Sequence, residues 1–372
     1  MKIAILGTKG IPNNYGGFEQ FAEYLSVGLV ERDYSVTVYN PHFHIYKDCR
    51  YKGVDIKHIY SPEKYIGASA NFIYDFLCLR DALKSDFDII LECGYHSNAP
   101  SYFLVNKKSY PILVTNMDGL EWKRSKWNKV TQWIIKKMEK LAVEKSHCLV
   151  SDNEGIRQYY LDNFGVDSYC IEYGAVNVNY FDSTYLQEFN LQSRNYFLLI
   201  ARLEPENNIE TILDGYIKSK ETTRSFLVIG NYQTKYGQYL KKKYSINKKI
   251  LFLGAIYDKN KLDSIRCNAC IYFHGHSVGG TNPSLLEAMG SNAFIVSHSN
   301  IFNRSILKDN ALYFSTSDDV ADIIGKEIPE NIRNKFILNN NKTISENYSW
   351  SHIIDLYENL FLTLLKKSDQ IK

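Results

Sequence analysis

The sequence ACIYFHGHSVGGTNPSLLEAMG, residues 269–290, contains a predicted strand, loop and helix in succession. Its apolar start, Ala269–Phe273, predicts a buried strand, and the run from Asn282 to Met289 has helical spacing. Pro283 suits a first helical position, where its missing N–H costs nothing. The loop between them brings backbone N–H groups to a helix start, where proteins bind anions. This stretch therefore predicts one strand–helix unit of a parallel sheet with a ligand-binding loop.

Short apolar runs alternate with longer amphipathic segments along the whole chain. Helices are predicted at Gly17–Glu31, Ile209–Lys218 and Asn282–Met289. Such alternation gives parallel sheets with helices on both faces, and each half has enough elements for a doubly wound domain. The predicted fold class is α/β, with two Rossmann-like domains. The predicted strands are Ile3–Leu6, Val36–Tyr39, Ile56–Ile59, Ile89–Leu91, Ile112–Thr115 and Cys148–Ser151, then Tyr196–Ile200, Phe226–Ile229, Ile250–Leu253, Ala269–Phe273, Phe294–Ser297 and Leu312–Phe314.

A polar stretch without periodicity, between Gly174 and Asn195, separates the two halves. A length of 372 residues also suits two domains rather than one. We therefore predict an N-terminal domain over 1–175 and a C-terminal domain over 190–345. The tail, 349–372, is predicted as a closing amphipathic helix that joins the N-terminal domain.

The composition excludes several classes of protein. A net charge of +3 is too small to favour nucleic acid as a partner. The first apolar run meets glycine at once and predicts a strand, not a targeting segment, and no run is long enough to predict a membrane span. Seven scattered cysteines favour a reducing compartment, so we predict a cytoplasmic protein.

Two short patterns resemble metal sites without their usual context. Cys267 and Cys270 form a lone C-x-x-C, which is either a metal or redox pair or two thiols packed at a helix–strand junction. Asp86-Phe87-Asp88 precedes a predicted strand instead of following it. Since ligands bind at the carboxyl ends of parallel strands, we interpret Asp86–Asp88 as a connection and expect no metal.

Four loops that follow predicted strands carry the chemistry. The first, Gly7–Glu19, is rich in glycine, which lets the backbone approach a ligand. It lacks the G-x-G-x-x-G spacing, so a nucleotide-phosphate loop, an NAD site and a simple chain reversal all stay open. In the second loop, Asp118 and Glu121 can act as a general base or orient a sugar, or Asp118 simply closes a turn with Gly119.

The other two loops lie in the second half. Arg202 offers a fork of donors that suits phosphate, unless it pairs with a glutamate of its own loop. In the segment His274–Glu287, Glu287 lies one helical turn in and can accept hydrogen bonds from sugar or ribose hydroxyls. His274 and His276 form an H-x-H pair that is weak for metal, and we favour a direct polar role for His276.

The stretch Trp122–Lys145 combines basic and aromatic residues. Such a segment can dock on an anionic membrane or on a pyrophosphate-linked lipid. The alternative is a solvated basic helix whose tryptophans lie in the core.

In these loops the sequence resembles family 4 retaining glycosyltransferases of the GT-B fold, and more closely a bacterial subfamily of rhamnosyltransferases for capsule and cell-wall polysaccharide. The resemblance implies two Rossmann-like domains that face each other across a cleft, with acceptor bound mainly by the first and nucleotide-sugar by the second. The matching motifs, GTKGIP at 7–12, YGGFE at 15–19, DGLEWKR at 118–124, ARLEPENN at 201–208 and GGTNPSLLEAMG at 279–290, occur in order over nearly the whole chain.

The resemblance also implies roles for individual residues. Asp118, Arg202 and Glu287 are expected to be catalytic, with Arg202 and the helix at Asn282 neutralising the leaving diphosphate, so that neither metal nor cofactor is implied. The implied donor-binding residues are Gly16, Gly17, Arg202, Asn207, His276, Gly280, Thr281, Asn282, Ser284, Leu285 and Glu287. The implied acceptor-binding residues are Tyr15, Glu19, Glu121, Trp122, Lys123 and Arg124.

The chain departs from the wider family at three positions. Gly279 stands where a glutamate is usual, Asn207 stands near the place of a lysine, and Asp118 replaces a histidine. The expected function is retaining transfer of a hexosyl group from a dTDP- or UDP-sugar to a lipid-linked or growing glycan, and rhamnosyl is the favoured group. The expected location is the inner face of the plasma membrane. A GT-B sugar-nucleotide epimerase and a non-catalytic sugar-nucleotide-binding component of a polysaccharide assembly complex are the alternatives.

Overall fold

The computed structural model describes residues 1–107, 110–123 and 127–369. The chain divides into two compact units. Unit 1 comprises Met1–Lys123, Trp127–Gly174 and the C-terminal helix, Trp350–Asp369, and unit 2 comprises Ala175–Ser349. Within the described part of the chain, no helix has the length and apolarity needed to cross a membrane.

Unit 1 is built on an eight-stranded sheet with the order β3-β4-β2-β1-β5-β6-β7-β8. All neighbours are parallel except β3 and β4. The order reverses between β1 and β5, which makes the carboxyl ends of those two strands the expected place for a ligand. The strands are β1 (Lys2–Leu6), β2 (Ser35–Pro41), β3 (Arg50–Tyr51), β4 (Val54–Ile59), β5 (Ile89–Cys93), β6 (Ile112–Asn116), β7 (Cys148–Ser151) and β8 (Tyr169–Cys170).

Helices cover this sheet, and two of them are held together by small and charged residues. The C-terminal helix packs on α1, where Gly28 leaves room for Ile354 and Arg32 pairs with Asp355 and Glu358. The α-helices of unit 1 that precede the C-terminal one are α1 (Gly17–Val30), α2 (Glu63–Ile66), α3 (Ala70–Ala82), α4 (Lys129–Lys145) and α5 (Glu154–Phe164), and 3-10 turns lie at Gly67–Ser69, Ala99–Leu104 and Glu121–Lys123.

Unit 2 has a six-stranded parallel sheet with the order β11-β10-β9-β12-β13-β14, which reverses between β9 and β12. The strands are β9 (Tyr196–Ile200), β10 (Ser225–Ile229), β11 (Ile250–Gly254), β12 (Ile271–His274), β13 (Ile295–His298) and β14 (Leu312–Phe314). The helices are α6 (Thr184–Gln187), α7 (Ile209–Lys218), α8 (Lys235–Lys243), α9 (Lys259–Cys267), α10 (Pro283–Gly290), α11 (Ile301–Leu307), α12 (Ser317–Gly325) and α13 (Glu330–Asn347), with a 3-10 turn at Pro205–Asn207.

The predicted fold class is confirmed. Every predicted strand is present, and three of them, including Cys148–Ser151, have the predicted ends. The prediction at Ala269–Phe273 was wrong at its ends, because the strand runs Ile271–His274. Two strands of two residues, β3 and β8, were missed, since such short segments have no periodicity to detect.

Candidate functional site

The loops after β9 and β12 in unit 2 are joined at the point where the strand order reverses. Both the N–H and the hydroxyl of Ser277 donate to the carbonyl of Glu206, at 3.1 and 2.7 Å. Asn208 donates to the carbonyl of Gly275 at 2.8 Å. A side chain at Gly275 would lie 2.0 Å from the carbonyl oxygen of Asn207, so only glycine permits this approach. The two predicted donor loops therefore form one structure.

A third loop, after β13, fixes the position of His276. The side-chain amides of Asn300 and Asn303 both donate to the carbonyl of His276, at 3.0 and 2.9 Å. Asn303 also donates to the carbonyl of His298. We call these two asparagines and the His276 carbonyl the asparagine clamp. A small depression beside the clamp is lined by His276–Gly280, Asn282, Asn300, Phe302 and Asn303. Sequence reasoning missed both asparagines, although they follow a predicted strand in the manner of the other functional loops.

The start of α10 differs in detail from the sequence expectation. Asn282 is the N-cap and its side chain accepts the N–H of Ser284 at 2.9 Å, while its carbonyl accepts the N–H of Leu285. These two amides are therefore already satisfied, and the side chain of Leu285 is fully buried. By contrast, the N–H groups of Gly279 and Gly280 have no hydrogen-bond partner among the described residues. The amides open to an anion lie in the loop, one turn earlier than expected.

Arg202 and Asn207 occupy different environments in the loop after β9. Arg202 is exposed, and its guanidinium forms no ion pair with another described residue. Asn207 is buried and its amide donates to the carbonyl of Arg202 at 2.7 Å. Asn207 thus shapes the loop that carries Arg202, while Arg202 presents its cation to solvent.

Glu287 is held by a buried ion-pair network on the side of α10. Arg266, 2% exposed, donates to Glu287 at 2.5 Å and to Asp263 at 2.9 Å. Burial alone would lower the pKa of Arg266. Several nearby groups, of which the negative charge of Glu287 has the largest effect, outweigh burial, so the pKa of Arg266 is raised. The Glu287 side chain remains 22% exposed. The arrangement fixes one edge of a carboxylate and leaves part of it reachable by a ligand.

Two stacked histidines lie beneath the same loop. The rings of His274 and His276 are 4.5 Å apart between centroids. Burial, and then the neighbouring His276 and His298, keep the pKa of His274 well below its usual value, so this imidazole is neutral at neutral pH. Neither ring nitrogen of His274 has a hydrogen-bond partner among the described residues. Thr281 is buried next to this loop.

In unit 1, two side chains hold the glycine-rich loop in one shape. The amide of Asn40 donates to the carbonyl of Ile11, and its oxygen accepts the N–H of Ile11. Gly10 has a φ of +93°, and a side chain there would lie 2.3 Å from the Asn40 oxygen. Glu19 accepts the N–H of Lys9 at 2.7 Å and is buried, so its carboxylate supports the loop. Tyr15 is exposed at the loop tip.

The loop runs directly into α1, whose first turn lacks a side-chain cap. Gly16 occupies the N-cap position and Gly17 is the first helical residue. Because glycine offers no side-chain acceptor, the N–H groups at this helix start are suited to an anionic ligand.

Asp118 lies at the carboxyl end of the unit 1 sheet beside a carboxyl group that sequence reasoning missed. Asp118 has a φ of +50° and its N–H bonds to the side chain of Asn116 at 3.0 Å. Asp152, just after β7, is 2% exposed. Burial, and then the charges of Asp118 and Glu172, raise the pKa of Asp152 well above its usual value. Asp152 directly follows a predicted strand, as Asp118 does. The expectation that ligands bind at the carboxyl ends of parallel strands therefore applies to Asp152 as well.

The remaining acceptor-binding predictions occupy varied environments. Glu121 is nearly buried, and its carboxylate accepts a hydrogen bond from the indole N–H of Trp127 at 3.1 Å. Its other oxygen lies 4.0 Å from Nε2 of His96, a residue that was not predicted from the sequence. Trp122 is half-buried against Tyr159, while Lys123 is exposed. Arg124 lies outside the described residues.

The Asp86–Asp88 segment is tied to the start of the chain. Lys2 donates its ammonium to Asp86 at 2.6 Å and its backbone N–H to Asp88 at 2.7 Å. The segment precedes β5, at the amino end of the sheet. Among the described residues, no group of three or more histidine, cysteine, aspartate or glutamate side chains is arranged to hold a metal ion.

Two family models match the chain, one in each half. Residues 1–176 match a domain of unknown function, DUF1972, and residues 183–346 match glycosyl transferases group 1. The comparison with curated proteins gave no match.

Solved structures resemble the chain over nearly its whole length. Sucrose-phosphate synthase from Thermosynechococcus elongatus has a TM-score of 0.80 at 12% identity, covering 98% of this chain and 99% of that one. HepE from Anabaena, in complex with UDP and glucose, has a TM-score of 0.77 at 13% identity, covering 98% and 100%. The catalytic domain of starch synthase IV from Arabidopsis thaliana, bound to ADP and acarbose, has a TM-score of 0.72 at 13% identity, covering 98% and 99%. The chain therefore has the GT-B fold, and its second half is a group 1 glycosyltransferase domain.

Proposed function

We propose that this group 1 glycosyltransferase moves a hexosyl group from a nucleoside-diphosphate sugar to a lipid-linked or growing glycan, with retention of the anomeric configuration. Rhamnosyl is the hexosyl group that we favour. The observation that carries the proposal is the joined pair of loops in unit 2. Among the described residues, the guanidinium of Arg202 has no ion-pair partner, and the N–H groups of Gly279 and Gly280 have no hydrogen-bond partner. A cation and free amides at the carboxyl edge of a parallel sheet suit a diphosphate.

These groups and the similar solved structures support a nucleotide-sugar as the proposed donor. Glu287, anchored by Arg266, is suited to accept hydrogen bonds from ribose hydroxyls. The HepE structures contain UDP, UDP and glucose, or UDP-glucose, which supports a nucleotide-sugar for the present chain. Gly279 supplies no carboxylate for the sugar. A 6-deoxy sugar such as rhamnose lacks one hydroxyl and needs fewer polar partners, which supports a dTDP- or UDP-linked deoxyhexose.

The chemical step is proposed as front-face transfer. Arg202 and the Gly279–Gly280 amides stabilise the charge that develops on the departing diphosphate. Asp118 orients or deprotonates the acceptor hydroxyl while the sugar has oxocarbenium character. The leaving phosphate assists on the same face, so neither a metal nor a covalent enzyme intermediate is needed. A trapped glycosyl adduct on Asp118 or Glu121 would contradict this mechanism.

A thermal-shift panel with nucleotide-sugars identifies the donor, because a ligand that binds only the folded chain raises its melting temperature. The stabilising sugar is then assayed for nucleoside-diphosphate release with and without a lipid-pyrophosphate acceptor. Acceptor-dependent release with an axial-to-axial or equatorial-to-equatorial product supports retaining transfer. Acceptor-independent change of the sugar would indicate an epimerase, and stabilisation without any turnover would indicate a binding component. Arg202→Ala serves as the matched variant that loses release.

We also propose that the protein works in the cytoplasm at the membrane surface, where a lipid-linked acceptor is located. Support comes from the basic and aromatic segment that ends in α4, of which Trp127–Lys145 and Trp122–Lys123 are described. Co-sedimentation with membranes, lost at high salt, tests the location.

A further inference from the structure

We propose that unit 1 binds an anionic lipid bilayer through the outer sides of three neighbouring elements, α3, the 3-10 turn Ala99–Leu104 and α4. This deepens the proposed function, because it assigns the surface that meets the membrane carrying a lipid-linked acceptor. The apolar members of this surface are Phe72, Ile73, Phe103, Val130, Trp133 and Ile134, and its basic members are Lys129, Lys136, Lys137 and Lys140. Together they are called the docking face.

The centre of the docking face is a stripe along α4. Val130, Trp133 and Ile134 are 67%, 61% and 40% exposed, and with Lys137 they have the spacing of one helix face. The ammonium of Lys137 lies 5.4 Å from the centre of the Trp133 ring. A fully solvated surface helix has no physical need for three large apolar residues side by side.

The opposite side of α4 already provides its packing. Ile135, Ala142 and Val143 are buried there. Glu139, on the same inner side, accepts hydrogen bonds from Tyr159 and Tyr160. Because the inner side satisfies both the apolar and the polar requirements of the fold, the outer stripe is available for another role.

The apolar surface extends beyond α4 to its neighbours. The turn Ala99–Leu104 packs against both α3 and α4, and its Phe103 is 67% exposed. On α3, Phe72 and Ile73 are 46% and 43% exposed. The sequence singled out Trp122–Lys145 alone, because only the fold packs the turn Ala99–Leu104 against α4 and packs α3 against the same turn.

The charges favour anionic lipid over a protein partner. The exposed charges on α4 are four lysines and a single acid, Glu144, which pairs with Lys140 at 3.7 Å. Lysine is depleted in protein–protein interfaces, where arginine is the common cation. Tryptophan and lysine beside aliphatic residues instead match the bilayer interface, where rings and alkyl stems enter the headgroup region.

The test is sedimentation of the full chain with vesicles made of equal parts phosphatidylcholine and phosphatidylglycerol. The wild-type chain is expected to bind these vesicles, to lose binding at high salt and not to bind pure phosphatidylcholine. A Val130→Ser/Trp133→Ser/Ile134→Ser variant is expected to bind at least about tenfold more weakly. A Lys129→Gln/Lys137→Gln/Lys140→Gln variant should lose about fivefold per lysine. The residues changed are exposed, so these variants are expected to fold like the wild type.

A control in unit 2 changes the same kinds of side chain elsewhere. Ile246, 91% exposed, and the exposed Lys242 and Lys248 are replaced together as Ile246→Ser/Lys242→Gln/Lys248→Gln, which should bind vesicles like the wild type. Phe103→Ser and Phe72→Ser, made singly, test the extension beyond α4. Trp133→Phe should retain binding and lose the vesicle-induced blue shift of tryptophan emission.

Two results would overturn the inference. One is equal vesicle binding by the wild type and the serine variant, or none by either. The other is a wild-type chain that is dimeric while the serine variant is monomeric, which would assign the docking face to contact with a second copy of the chain. Sedimentation needs no turnover, so vesicle binding without acceptor-dependent release contradicts the proposed function alone. Transfer to a soluble acceptor without vesicle binding contradicts the docking face alone.

Discussion

The guanidinium of Arg266 donates to the carboxylate of Glu287 at 2.5 Å from a position that is 2% exposed. Arg266 is on α9 and Glu287 is on α10, so this ion pair fixes a predicted donor-binding carboxylate by means of a neighbouring helix. A buried charge that loses its partner is costly, which makes the pair a sensitive point for both stability and donor binding.

Arg266→Met is expected to lower the free energy of unfolding by about 3–5 kcal/mol, because Asp263 and Glu287 both lose their ion pair with a buried guanidinium. Arg266→Lys keeps the charge without the two-pronged geometry and should fold, with a higher KM for the nucleotide-sugar and a smaller effect on kcat. Urea unfolding and steady-state kinetics measure these effects. The matched control is Arg194→Met, which breaks an exposed pair with Glu330 and should cost below about 1 kcal/mol. An unchanged KM in Arg266→Lys would show that Arg266 does not position Glu287.

Asn303→Ala is expected to weaken donor binding, because the carbonyl of His276 loses one of its two amide donors and the donor loop becomes less fixed. The expected loss is about 1 kcal/mol in stability and a smaller rise in melting temperature with the nucleotide-sugar. Asn339→Ala removes an amide pair with Asn310 elsewhere in unit 2 and serves as control. An equal rise in melting temperature with the nucleotide-sugar in the two variants would contradict a role for the asparagine clamp in donor binding.

Asp118→Asn is expected to reduce transfer by about 100-fold or more, since an amide cannot accept the proton of the acceptor hydroxyl. Because Asp118 belongs to unit 1 and the donor loops belong to unit 2, the melting shift with nucleotide-sugar should stay near that of the wild type. Asp167→Asn, at an exposed acid paired with Arg157, is the control that retains activity. Full activity in Asp118→Asn would remove the residue from the mechanism.

Asp75 is expected to make stability depend on pH. Burial raises its pKa from 3.8 to about 6, against smaller opposing effects of Ser97 and Lys9. The folded chain therefore holds this proton more tightly than the unfolded chain, so the contribution of Asp75 to stability falls as pH rises from about 4 to about 6. Above that range the loss amounts to about 3 kcal/mol.

Urea unfolding across this range, for the wild type and Asp75→Asn, measures the effect. Asp75→Asn should become more stable relative to the wild type with rising pH and then level off. Ser97→Ala removes the hydrogen bond that favours the ionised carboxylate, so its stability should fall over a range that extends to higher pH. A constant difference between Asp75→Asn and the wild type would contradict the raised pKa.

The sequence predicted the strands and the main loops because their signals are local. Runs such as Tyr196–Ile200 are apolar and bounded by polar turns, and Asn282-Pro283 marks a helix start. The resemblance to glycosyltransferases likewise depended on short motifs that are read in order. These features determined the fold class and predicted a donor site that contains Arg202, Glu287 and the Gly279–Gly280 loop.

The tertiary structure alone decided which residues support that region. Arg266, Asn300 and Asn303 have no local pattern that relates them to Glu287 or His276. Arg266 meets Glu287 because α9 packs against α10, and the two asparagines meet His276 because parallel strands bring the segments after β12 and β13 to one edge. The fold also decides the position of Asp152 beside Asp118, of Phe103 on a turn that packs against α4, and of Phe72 on α3, which packs against the same turn. Pairing between strands is set by packing over long separations, so the partners of a predicted site residue follow from the fold and not from its neighbours in sequence.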